Sequence, residues 1–298
     1  MKKKIIGVIL RCALVIPSIC CIILLIRVQQ MNNDIELLKS FIGVSSQEIY
    51  ASDTANYSAS VTAYNLENPY GMAVAPDLID GSGSIDPYEG KIKVCLTFDD
   101  GPSANTDAIL DILDTYGVKA TFFVNAKEGY DAQYNRIVDS GHTLGMHSYS
   151  HSYATLYKDL DSFAADLYDL QMFLYDKTGV SSIYYRFPGG SSNTVCNVDM
   201  SECIDYLNAK GIVYYDWNVS AQDAVQGGLS TTEIVNNILS PIYSGAYDEY
   251  VILMHDCGDK VSTVEALPIV IEQLADMENV VIVPINEFTT PVQHVTAD

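Results

Sequence analysis

From residue 91 onward, short apolar runs alternate with amphipathic helical patterns. The runs at 93–98, 120–124, 143–147, 183–187, 212–219, 250–255 and 280–285 have the length and the β-branched and aromatic content of buried strands. Between them, Ile109, Leu110, Ile112, Leu113 and Tyr116 share one helical face, and Leu160, Phe163, Leu167, Leu170 and Leu174 share another. Ser230-Thr231-Thr232-Glu233 and Ser262-Thr263-Val264-Glu265 have the form of capping boxes that open helices. Alternation of this kind leaves few folds: a parallel sheet, either open or closed into a (β/α) barrel. No Gly-x-Gly-x-x-Gly follows the first run, which weakens a dinucleotide site.

The polar residues are placed, not scattered. Asp99-Asp100, His147, Arg186, Asp223 and His255 end or follow five different runs. Either architecture gathers such residues at the C-terminal ends of its strands. Two adjacent carboxylates repel one another and are costly to bury without a positive charge nearby. His147-Ser148-Tyr149-Ser150-His151 offers two imidazoles four residues apart; on a helical turn both would face one cation. With Asp100 or Asp99 they make a three-ligand set with an open position, suited to Zn²⁺ and also to Co²⁺ or Mn²⁺. Such an ion brings the pKa of bound water towards neutrality. The second aspartate is then free to act as general base, and His255 as general acid. His142 has no partner in the pattern and reads as structural.

The formal net charge is −22, which argues against nucleic acid as a partner. Residues 5–26 are almost wholly apolar, interrupted by Arg11 and Pro17, and follow Lys2, Lys3 and Lys4. Their length suits one membrane pass, and the lysines place the N-terminus in the cytoplasm. A cleaved signal peptide is the competing reading, against which the bulky, polar 27–33 offers no small-residue cleavage site. The expected organisation is an N-terminus and transmembrane anchor at 1–27 and a stalk at 28–90. A catalytic domain at 91–298 follows, held outside the cell on a single-pass membrane protein. The stalk is rich in Ser, Ala, Asn, Asp and Tyr, with a short helical pattern at 31–42. No Cys-x-x-Cys occurs; Cys196 and Cys203 are close enough in sequence for a disulfide in an extracellular body.

The polar motifs together resemble those of the polysaccharide deacetylases with a NodB-type domain (carbohydrate esterase family four), in the family's order and across nearly all of 91–298. Thr97-Phe98-Asp99-Asp100-Gly101-Pro102 resembles the first motif, which implies Asp99 as base and Asp100 as metal ligand. His147-Ser148-Tyr149-Ser150-His151 resembles the second, implying the other two ligands. Arg186-Phe187-Pro188-Gly189-Gly190 resembles the third: the arginine orients the base and the N–H after Pro188, that of Gly189, helps bind an oxyanion. Leu253-Met254-His255 resembles the fifth, the leucine walling an acetyl pocket and the histidine serving as acid. The fourth motif departs. Of its two acids only Asp223 remains, to pair with His255; Ser220 replaces the first and Ala224 the usual tryptophan. Gly189 stands where many relatives carry an aromatic residue and is expected to open the cleft. Trp217 is a candidate for its lining.

The resemblance implies a distorted (β/α) barrel of about seven parallel strands. It implies a metal-dependent N-deacetylase acting on acetylated cell-wall polysaccharide, most simply the N-acetylglucosamine of peptidoglycan. The rivals are an O-acetyl esterase of xylan type and a surface carbohydrate-binding protein that no longer turns over.

Overall fold

The computed structural model describes residues 86–296. The expected membrane segment, the 31–42 pattern and nearly all of the stalk lie outside the described residues. Among those described, no helix is long and apolar enough to cross a membrane. Asp86, in the expected stalk, pairs with Lys93 at 2.7 Å.

Among the described residues, eight strands make one parallel sheet: β1 (Ile92–Asp99), β2 (Thr121–Asn125), β3 (Thr143–Ser148), β4 (Tyr184–Tyr185), β5 (Val213–Tyr214), β6 (Val219–Ser220), β7 (Glu249–His255) and β8 (Val280–Ile282). Their order is β5-β4-β3-β2-β1-β7-β6, and β8 pairs with the first three residues of β1. The helices are α1 (Thr106–Tyr116), α2 (Asp131–Asp139), α3 (Tyr153–Leu156), α4 (Leu160–Thr178), α5 (Met200–Ala209), α6 (Thr231–Tyr243) and α7 (Val261–Ala275).

The run at 212–219 is not one strand. It breaks into β5 and β6, which lie at opposite edges of the sheet, so eight strands replace the expected seven. Only residues 215–218 join those edges, a reach of about 17 Å at most from Tyr214 to Val219. The sheet therefore curls until its edges nearly meet, a barrel with one irregular seam. Polar side chains cause the break. Asp216 turns away to take hydrogen bonds from the Ser191 N–H (2.8 Å) and the Ser191 hydroxyl (2.5 Å). Asn218 takes over part of the ladder, accepting from the Val251 N–H (2.8 Å) and donating to the Glu249 carbonyl (2.8 Å).

Alternation along the strands sorts the two faces. Val94, Leu96 and Phe98 join the large core beneath the helices. Cys95 faces the interior with Phe123, Tyr215, Val251, Val283 and Ile285. Gly145 makes room there, because a Cβ would stand 2.5 Å from the Phe123 ring. Continued upward, the same alternation puts Thr97 and Asp99, then His147, Arg186 and His255, on the inner face at the strand ends.

One smaller expectation needs correction. Ser230 and Glu233 form a true capping box, but α7 begins at Val261, ahead of the second expected box. Thr263 instead donates its hydroxyl to Asp223 at 2.9 Å. Cys196 and Cys203 are free thiols and not a disulfide; Cys203 is buried in the α5 packing, while the Cys196 thiol turns to Asn193 at 3.1 Å.

Candidate active site

Asp99 closes β1 and is 3% exposed. Arg186, fully buried, donates to its Oδ1 at 2.9 Å. Every face of that guanidinium is used. It donates to Thr97 Oγ1 (2.5 Å) and to the carbonyls of Tyr215 and Asp216 (2.9 Å each), and it lies 4.2 Å over the Phe123 ring. The two carbonyls belong to the seam, so one side chain ties Asp99 to the barrel closure.

Asp100 follows with φ 70, which turns its carboxylate back across the strand ends. Lys127 donates to its carbonyl at 2.7 Å, and Asn125 to its Oδ1 at 3.3 Å. His151 Nε2 lies 3.0 Å and His147 Nε2 3.6 Å from Asp100 Oδ1. The ligand atoms of the three residues all lie within 4.8 Å of one another.

The spacing of the two histidines works differently from the helical turn expected. His147 belongs to β3, and His151 sits in the following loop with φ 47. Asp166, from the buried face of α4, builds that loop. It accepts from the Ser148 hydroxyl (3.0 Å), the Tyr149 N–H (2.7 Å), the Ser150 N–H (3.0 Å) and the Ser150 hydroxyl (2.7 Å). His147 Nδ1 bonds the Arg186 carbonyl at 2.7 Å. A carbonyl only accepts, so Nδ1 carries the proton and Nε2 presents a lone pair. Burial holds His147 below its ordinary pKa, as a neutral ligand requires. For Asp100, burial works against ionisation, but the hydrogen bond from His151 and the charge of His151 outweigh it and hold the carboxyl far below the usual range. The hydrogen bond to Asp100 raises His151. A positive charge at this point satisfies Asp100, and the two-nitrogen, one-carboxylate set fits a divalent cation of the zinc, cobalt or manganese kind.

His255 ends β7, directly beside Asp99 in register. Asp223 takes both its Nδ1 (2.7 Å) and its backbone N–H (2.9 Å). Burial alone would lower the His255 pKa; Asp223 outweighs that and raises it. In the changed fourth motif, Ser220 Oγ accepts from the Gln222 N–H (3.1 Å) within the turn that presents Asp223.

A cleft of roughly 440 Å³ lies between these groups, with Leu253, Trp217, Gly189 and Ala224 in its walls. Pro188 is buried instead; its carbonyl accepts from the Tyr157 hydroxyl at 2.9 Å. Gly189 is exposed on the cleft wall, and the Tyr153 hydroxyl stands 3.1 Å from where a Cβ would be. His142 lies at the far end of β3, its Nδ1 accepting from the Ala120 N–H (3.1 Å), apart from the metal set. Tyr153, Asp166, Asn125 and Lys127 were not singled out from sequence. Of these only Asp166 left a signal, as a carboxylate three residues after Phe163 on an otherwise apolar helix face.

A polysaccharide deacetylase family model matches residues 87–203. The Bacillus subtilis protein YheN is 31% identical over 205 residues, 68% of this chain and 70% of its own length. A Bacillus cereus peptidoglycan-N-acetylglucosamine deacetylase is 30% identical over 195 residues, 63% of this chain and 84% of that one. Among solved structures, the catalytic domain of an Eubacterium rectale peptidoglycan N-acetylglucosamine deacetylase superposes with a TM-score of 0.65 at 34% identity, covering 74% of this chain and all of that one. The motif order, the barrel with its Asp-His-His cluster and these relatives agree: the chain belongs to the polysaccharide deacetylase family, and it is a hydrolase.

Proposed function

We propose that this chain is a metal-dependent N-deacetylase acting on acetylated cell-wall glycan, with peptidoglycan N-acetylglucosamine as the first substrate to test. The observation that carries the reading is the pairing of Asp99 with His255 on adjacent strands, in register, beside the Asp100, His147 and His151 cluster. A proton acceptor and a proton donor thus flank one three-ligand site. The relatives named for peptidoglycan support the substrate. The apolar 5–26 segment behind three lysines supports a membrane anchor with the body outside the cell.

Asp100, His147 and His151 would hold the cation, which when bound acidifies water and polarises the acetyl carbonyl. Asp99, oriented by the Arg186 hydrogen bond, takes the proton from the attacking water. The Gly189 N–H donates to the oxygen that gains charge. Leu253 lies against the acetyl methyl. His255, kept protonated by Asp223, gives its proton to the departing amine, without which the amide cannot break.

The test is acetate release from acetylated wall fragments, with acetyl xylan as the arm that would reveal an O-esterase. Asp100→Ala is expected to lose both metal binding, read by metal analysis of the purified protein, and acetate release. Acetate release at the normal rate would remove Asp100 from the ligand set. Binding without turnover on every glycan would favour the non-catalytic alternative.

His255 also sets a pH limit. A general acid fails as pH rises through its pKa, and Asp223 holds that pKa up. Asp223→Asn is therefore expected to move the alkaline limb of the kcat profile to lower pH. An unmoved limb would assign it to another group.

A further inference from the structure

Charge that builds on an acetyl oxygen calls for more than one donor, and a second stands next to Gly189. Tyr153 opens α3 and lines the same cleft as Asp99, Asp100, His151 and Gly189. Its hydroxyl oxygen is 3.1 Å, and its Cε1 3.3 Å, from the point a Gly189 Cβ would occupy. Gly189 has φ +78, so a side chain there would be strained as well as crowded. The bare glycine and the tyrosine are complementary: one leaves the space that the other fills.

The ring is braced on both sides. It meets His151 edge-on at 5.8 Å and lies tilted against Tyr157 at 5.9 Å. Tyr157 is itself fastened to the Pro188 carbonyl. The Tyr153 hydroxyl, in contrast, has no hydrogen-bond partner among the described residues, and neither has the Gly189 N–H. A partly exposed phenol on the wall of a reaction cleft, with an O–H that no described residue takes up, is a donor whose acceptor comes with the substrate. Two unused donors side by side suit one oxygen that becomes negative.

We propose that Tyr153 is a catalytic residue whose hydroxyl, together with the Gly189 N–H, donates a hydrogen bond to the acetyl carbonyl oxygen as it takes up charge. This rests on the deacetylase reading above. Tyr153 keeps its proton throughout; no bond to it is made or broken.

Tyr153→Phe in the full chain removes one oxygen and keeps the ring with its contacts. With the zinc-loaded protein, kcat for acetate release is expected to fall about 10²-fold while KM changes less than about twofold, because the bond strengthens only in the transition state. An unchanged kcat, or a loss carried wholly by KM, would overturn the assignment. Acetate itself serves as a second probe, since its oxygen can use the same two donors. Titration calorimetry should find acetate binding weakened several-fold in Tyr153→Phe, and equal affinity would overturn the donor role. A wild type that releases acetate from no glycan would defeat the deacetylase reading, while the acetate affinity would still decide Tyr153.

Discussion

Asp99→Asn is expected to lower kcat about 10³-fold while the protein keeps its metal. A positioned general base contributes roughly 10²–10⁴-fold. The substitution is conservative where the fold needs it. The Arg186 donor at 2.9 Å selects the amide oxygen for the Oδ1 position, so the buried guanidinium keeps an acceptor. The amide nitrogen falls at the other oxygen, 4.0 Å from His147 Nε2, and an amide cannot take a proton there. Rates of acetate release and metal content, measured on one preparation, separate the neighbouring aspartates. Asp99→Asn should be inactive and metal-loaded; Asp100→Ala should be inactive and metal-free. Activity within tenfold of wild type would place the base elsewhere. Loss of metal from Asp99→Asn would make Asp99 a ligand.

The placement of Asp99, His147, Arg186 and His255 was legible in the sequence because it is local: each ends or follows an apolar run, and alternation along the strand then fixes its face. Cys95, Thr97 and Asp99 run up the inside of the barrel while Val94, Leu96 and Phe98 pack outward. What was not legible depends on partners distant in sequence. The run at 212–219 has strand composition throughout, and nothing in it announces that Asp216 will be claimed by Ser191 and the His294 N–H, or Asn218 by Val251. Thr263 has the setting of a helix cap and is drawn off by Asp223, forty residues earlier. The histidine pair was found for a wrong geometric reason. Strand and loop, held by Asp166, bring together what a helical turn was expected to align. Nothing in the sequence beside Gly189 announces that the Tyr153 hydroxyl, from the start of α3, will stand next to it.

Arg186→Met should cost the fold about 3–5 kcal/mol, the usual penalty for leaving a buried charge without its partner. Methionine replaces the aliphatic stem but not the guanidinium, so the contact over the Phe123 ring is lost as well. The larger damage is electrostatic and polar. Asp99, 3% exposed, loses its countercharge, and the carbonyls of Tyr215 and Asp216 lose their donors. Those carbonyls sit where β5 and β6 are joined, and the sheet has no ladder between its two edges there. Against a typical domain stability of about 5–15 kcal/mol, the loss is large. Arg186→Lys should recover only part of it, because an ammonium lacks the planar fork that reaches Asp99, Thr97 and both carbonyls together. A double variant separates charge from closure. If the cost is the stranded carboxylate, Asp99→Asn added to Arg186→Met should restore much of the stability measured by urea unfolding. If it is the lost bridge to the seam, the double variant should remain as weak as Arg186→Met alone. A single variant that loses less than about 1 kcal/mol, well below the range for a broken buried pair, would mean that the Arg186–Asp99 pair does not hold this barrel together.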